Sequence, residues 1–157
     1  MIAAVAWAPA PTWPAWALLA TIGAWVAVID AITTWIPAVL AWTGWAGWIG
    51  AVVVTALSDH TAAIRAVIAT AIIFAAWMIA WLISRGGFGF SDVRITPLWA
   101  APAAATGIDT IHATVIAGLT LIALYALIDR FRHHTTRFLP WAPSLCSGAL
   151  IGLAIAH

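Results

Sequence analysis

The sequence predicts an all-α, polytopic membrane helix bundle: a single domain over residues 1–157 with about six transmembrane segments, the fourth of them short and proline-containing. Three observations carry that expectation. Of the 157 residues, 65% are hydrophobic and 7% charged, whereas soluble domains carry about 25% charged residues. Glu, Lys, Asn and Gln are absent, so polar chemistry is left to Asp, Arg, His, Ser, Thr and one Tyr. The mean hydropathy is +1.07, and the apolar residues fall in runs near the ~20 needed to cross about 30 Å of hydrocarbon at about 1.5 Å per residue.

The expected segments are Pro14–Ala31, Ile36–Leu57, Ala62–Ser84, Ile95–Thr106, Ile111–Ile128 and Trp141–Ala156. The N-terminal "MIAAVAWAPAPTWPAW" has no basic stretch before its apolar run, so it does not read as a cleaved signal peptide. In the second segment Trp42, Trp45 and Trp48 share one face, and Gly44, Gly47 and Gly50 form a second stripe. The glycine face is expected to pack on another helix and the rings to meet lipid or the interface, with a ring-lined substrate groove as the other reading. The fourth segment holds Pro97 and Pro102 and reads as kinked or only partly spanning. Interrupted helices survive at membrane depth where protein or water satisfies the freed backbone groups. That makes this segment weak as a span and interesting as a site.

Arginines set the expected orientation. Arg85 and Arg94 flank a glycine-rich elbow, "RGGFGFSDVR", and Arg130, Arg132 and Arg137 crowd "DRFRHHTTRF"; Arg65 alone falls towards the other side. By the positive-inside rule the elbow and the basic loop are cytoplasmic and both termini lie outside. The end of the first segment, "AVIDAITTWIP", then lies on the cytoplasmic side too. A net charge of +1 gives no ground for nucleic-acid binding. One cysteine, Cys146, excludes an internal disulfide and a four-thiolate zinc site.

Acids in such a chain need a reason, because an ionisable side chain at a helix centre costs about 2.5–3.5 kcal/mol to insert. Asp59 and Asp109, beside His60 and His112, fall in expected outside loops, and Asp129 opens the basic loop. They read as solvated charges. Carboxylate and imidazole together suit zinc-like ions, but nothing in the spacing demands one, and no metal is expected. Asp30 and Asp92 differ: one ends the first segment, the other precedes the fourth, both at the cytoplasmic boundary. Two carboxylates from separate helices at one depth can share a proton, because like charges a few ångströms apart do not both ionise cheaply. One member then serves as general base on a water while its partner donates a proton.

At these residues the sequence resembles the type IV prepilin peptidase family, aspartic membrane proteases of the GxGD type. "GGFGFSDVR" is similar to the family's second acidic motif at Gly86, Gly87, Gly89, Asp92 and Arg94. Asp30, followed by Ile36 and Pro37, is similar to the first. "LPWAPSLCSGAL", with Pro140, Pro143 and Gly148, resembles the opening of the family's last helix. The likeness runs from about residue 20 to the C-terminus. Ser91 stands where the family has the second glycine of GxGD, Ala38 where Asn or Asp commonly follows the proline, and "AITTW" where a basic stretch is usual. The chain lacks the cysteine-rich methyltransferase insertion of the long form and so resembles the short, peptidase-only form.

The resemblance implies an aspartic endopeptidase that cleaves the leader of prepilin-like substrates at the cytoplasmic face of a prokaryotic cell membrane. It implies no metal and no organic cofactor. Asp30 and Asp92 are the expected dyad, and Gly87, Gly89, Ser91 and Arg94 the expected elbow. Glycines before an acid permit φ > 0 and a close backbone approach, and Ser91 is expected to keep an ordinary φ and cap the fourth segment. Arg94 reads either as attracting an acidic group or tuning Asp92, or as an inside-positive anchor. The alternatives are a catalytically degenerate relative serving pilus assembly and a small proton- or cation-coupled transporter.

Overall fold

The computed structural model of the chain describes residues 7–84, 89–133 and 139–156, and every regular element among them is helical. Helix α1 runs Ala10–Thr33, α2 Ala38–Ser58, α3 His60–Ser84, α4 Phe90–Arg94, α5 Thr96–Thr106, α6 Ile108–His133 and α7 Trp141–Ala156. Four of them, α1, α2, α3 and α6 (to Phe131), are long and apolar enough to cross a membrane. The chain is a membrane-type helix bundle.

The helix boundaries follow local chemistry. α1 begins four residues before Pro14 with a 3₁₀ turn, Ala10–Thr12, which tolerates Pro11 because first-turn N–H groups have no intrahelical partner. A π turn at Leu19–Gly23 interrupts it, and the Cys146 thiol approaches the Gly23 carbonyl at 3.8 Å. α1 stops at Thr34, the one non-glycine residue with positive φ among those described (52°), whose N–H donates to the Asp30 carbonyl at 2.8 Å. Pro37, with φ −56° and ψ 134°, then opens α2. α3 is capped by Asp59, whose carboxylate accepts the Ala62 N–H at 2.8 Å.

The fourth segment, expected at Ile95–Thr106 as kinked or only partly spanning, is a short helix at Thr96–Thr106. A separate five-residue helix, α4, precedes it, with a break at Ile95 (φ −88°, ψ 0°). α5 follows with 11 residues, roughly 16 Å of rise, too short to span and at the core of the bundle. Every residue from Thr96 to Ala105 is buried. Pro97 leaves the Val93 carbonyl without a helical donor, and the Thr96 hydroxyl supplies one at 2.8 Å. At the far end Arg65 donates to the Ala104 and Ala105 carbonyls at 3.3 and 2.7 Å, and Trp16 Nε1 donates to Thr106 Oγ1 at 2.9 Å. Arg65 thus caps the C-terminus of α5, where a cation suits the helix dipole.

These contacts fix the relative directions. Residue 16 of α1, residue 65 of α3 and residue 106 of α5 meet at one end of the bundle, whereas residue 30 of α1 meets the start of α7 at the other. Helices α6 and α7 form the closest pair, packed through Thr110, Thr114 and Gly118 on one side and Gly148 and Gly152 on the other. In α2 the two expected stripes are only partly separated. Trp42 is exposed, but Trp45 and Trp48 turn inward, the first donating to the Arg94 carbonyl at 2.9 Å and the second packing on Ala66, Ala101 and Ala105. Gly44 lies against Leu98 and Gly47 against Leu18, whereas Gly50 faces open space.

Thr34 and Thr61 are both exposed and sit at opposite ends. In a Cys146→Ser background, Thr34→Cys and Thr61→Cys should therefore label with an impermeant thiol reagent from opposite sides of the membrane. Labelling of both from one side would break the up-and-down order.

Candidate active site

Asp30 lies in the last turn of α1 with 3% of its surface exposed. Its Oδ2 accepts the Ala142 N–H at 2.9 Å, and the Trp141 backbone supplies a further bond. The first N–H groups of a helix have no partner within it and favour a negative charge. Asp30 therefore caps α7 from another helix, 112 residues away in sequence.

Asp92 is the third residue of α4 and is 6% exposed. Its backbone N–H donates to the Gly89 carbonyl at 3.1 Å, and its carboxylate accepts a bond from the Gly89 backbone. An acid at the third helical position reaching back to the N-cap N–H is one half of a capping box. Burial, and after it the charge on Asp30, push the Asp92 carboxyl up to about 7, while the Gly89 bond pulls the other way. The two acids thus lie at one end of the bundle, near enough for the charge of one to be felt at the other. Inward of them the packed layer is apolar: Val26, Ile95, Leu98 and Ala142.

The elbow differs in its physics from expectation. Gly89 has φ −76°, an ordinary extended value, so conformational freedom is not why a glycine stands there. A Cβ at Gly89 would come within 2.9 Å of Asp92 Oδ2 and 3.1 Å of Ser91 Oγ, so a side chain there would displace the tips of both. Ser91 keeps an ordinary φ, yet it is not a cap; it lies in the first turn of α4, whose N-cap is Gly89, and α5 is preceded by Ile95. Arg94 follows Asp92 by two residues, roughly 200° around the helix. Its guanidinium lies over the Phe90 ring at 5.3 Å rather than beside either acid. Gly87, with Gly86 and Arg85, lies outside the described residues.

Asp59 and His60 stand at the start of α3 and Asp109 and His112 at the start of α6. Among the described residues no group of three or more His, Cys, Asp or Glu side chains is placed to hold a metal ion. Sequence reasoning missed the roles of Arg65 and of the Trp141 and Ala142 N–H groups. The only sequence signal for the latter was "LPWAP", a proline-flanked helix start needing an acceptor from elsewhere. No family model, no curated protein and no solved structure matches the chain.

Proposed function

We propose that the protein is an aspartic endopeptidase of the prepilin-peptidase type, cleaving the leader of a membrane-anchored, prepilin-like substrate at the cytoplasmic face of a prokaryotic cell membrane. The observation that carries this reading is the burial of two carboxylates from separate helices, Asp30 and Asp92, at one end of the bundle with the charge of one felt by the other. Such a pair suits hydrolysis of an amide. Asp30, already an acceptor of backbone N–H bonds, takes the proton of a water that attacks the scissile carbonyl carbon. Asp92, held protonated, gives its proton to the carbonyl oxygen. Collapse of the tetrahedral adduct breaks the C–N bond as the proton on Asp30 passes to the departing amine and one hydroxyl of the adduct returns its proton to Asp92, leaving a carboxylic acid and the starting dyad. Gly89, with no side chain, leaves room for a peptide backbone to approach Asp92.

A second reading has its own support. Asp30 caps α7, a role that needs no catalysis and fits a non-enzymatic assembly component. A proton- or cation-coupled transporter is disfavoured by the apolar layer of Val26, Ile95, Leu98 and Ala142.

Co-expression with type IV prepilins, read by the mobility and N-terminal sequence of the product, tests the proposal. Cleavage should occur without transfer of a labelled methyl group to the new N-terminus. Because Asp92 acts in its protonated form, cleavage should fall as pH rises through about 7. Ser91 sits beside Asp92 without capping a helix, so Ser91→Gly should change the rate by less than about tenfold, or roughly 1.4 kcal/mol in barrier. An inactive wild type that gains cleavage on Ser91→Gly would mark a degenerate enzyme, and no cleavage by either form would favour the assembly component.

A further inference from the structure

Among the described residues, Arg94 is the one charged side chain near the two acids whose own bonding the fold leaves incomplete. Its Nε is buried without a hydrogen-bond partner, and the guanidinium's described contact is the Phe90 ring. Its backbone is held firmly, the carbonyl accepting Trp45 Nε1 at 2.9 Å. No acid of the chain completes it. Asp92 projects from the opposite side of α4, Asp30 is engaged by the start of α7, and Asp59 and Asp109 open helices at the far end. Asp129, on α6, makes no ion pair with it among the described residues. A buried donor on a cation left without an acceptor is costly, and an anion is the group that would complete the guanidinium.

The surroundings identify which anion. Phe90 packs on Trp81 with ring centroids 4.9 Å apart, and Trp45 packs on Phe74 at 5.4 Å. Indole rings collect at the level where hydrocarbon gives way to headgroups. α3 has 25 residues, roughly 37 Å, against about 30 Å of hydrocarbon, so Trp81, three residues from its end, falls at that boundary. A planar guanidinium fixed by a ring and a hydrogen-bonded backbone presents a fork that matches two phosphate oxygens. The geometry points to Arg94 and Phe90 as a seat for the phosphate of an anionic membrane lipid. The seat faces away from Asp92 and stands whether or not the acids catalyse.

The test uses the purified full chain in detergent, titrated with phosphatidylglycerol or phosphatidylcholine and read by native mass spectrometry. Phosphatidylglycerol should bind at least about tenfold more tightly, a difference of about 1.4 kcal/mol. Arg94→Gln should erase that preference, and Arg130→Gln, at an exposed arginine on α6, should keep it. Inorganic phosphate and an acidic peptide at matched concentration should not displace the lipid. Equal binding of the two lipids, or a preference that survives Arg94→Gln, overturns the proposal. Displacement by phosphate makes it a free-anion site, and displacement by the peptide a protein-binding site; either overturns the lipid assignment. Should Arg94→Gln fail to fold, a phosphatidylglycerol with a photoactivatable headgroup should crosslink the wild type within residues 90–94, and crosslinks confined elsewhere would refute it.

Discussion

Gly152→Leu should sharply lower the melting temperature of the purified protein, and Gly148→Leu should do nearly as much. A Cβ at Gly152 would meet the Thr114 N at 2.7 Å and the Thr110 carbonyl at 2.8 Å. One at Gly148 would meet the Gly118 N at 2.7 Å and the Thr114 carbonyl at 2.8 Å. These neighbours are backbone atoms, so no side chain can swing aside and the helices must part. Lipid drives helices together weakly, and small residues four apart compensate by letting backbones touch. Over-packing such a contact costs about 1–3 kcal/mol, occasionally more. The damage reaches the acids, because α7 carries the Ala142 N–H that binds Asp30. Gly50→Ala is the internal control. Its Cβ would meet nothing within 4 Å, and alanine gains up to about 1 kcal/mol over glycine inside a helix, so it should leave the melt unchanged or raise it. Equal melts for Gly152→Leu and Gly50→Ala would mean that α6 and α7 do not touch as described.

Asp30 should separate into two functions on substitution. Asp30→Asn retains an oxygen that accepts the Ala142 N–H, so the helix cap survives and the melting temperature should stay close to that of the wild type. Asp30→Ala removes the acceptor and leaves a buried N–H orphaned, at a cost of about 1–3 kcal/mol, comparable with the ~0.5–2 kcal/mol lost with an ordinary N-cap. Both variants remove the proposed base, so both should lose cleavage. A thermal melt of each in detergent reads the first effect and the prepilin assay the second. If Asp30→Asn melts like Asp30→Ala, the carboxylate's charge rather than its geometry holds α7. If Asp30→Asn still cleaves, Asp30 is only a cap.

The membrane class and the long helices were legible because they rest on the additive property of apolar run length. Boundaries moved where backbone chemistry intervened: α1 starts at Ala10 because prolines suit a first turn, and α2 waits for Ala38 because Thr34 and Pro37 shape the corner. The centrality of α5 had a signal that run length ignores. "TPLWAAPAAAT" is small and apolar on every side, the mark of a helix surrounded by others. Spacing alone does not separate the rings of the tryptophan stripe, because Trp45 and Trp48 each have an inward partner that Trp42 lacks. Around the acids the residues were readable but their physics was not. Asp30's partner lies 112 residues away, and Gly89 keeps an ordinary φ and lies close under the Asp92 carboxylate.

Asp30 and Asp92 are proposed to act together on a peptide bond. The most direct measurement is the rate of leader cleavage by wild type, Asp30→Asn, Asp92→Asn and Asp59→Asn, each first matched for thermal melt. Asp59 is the fitting control because it too caps a helix, through Ala62, but at the opposite end of the bundle. Wild type and Asp59→Asn should cleave, and Asp30→Asn and Asp92→Asn should give no detectable product. Undiminished cleavage by either of those last two variants, or equal loss in all three, would contradict that proposal.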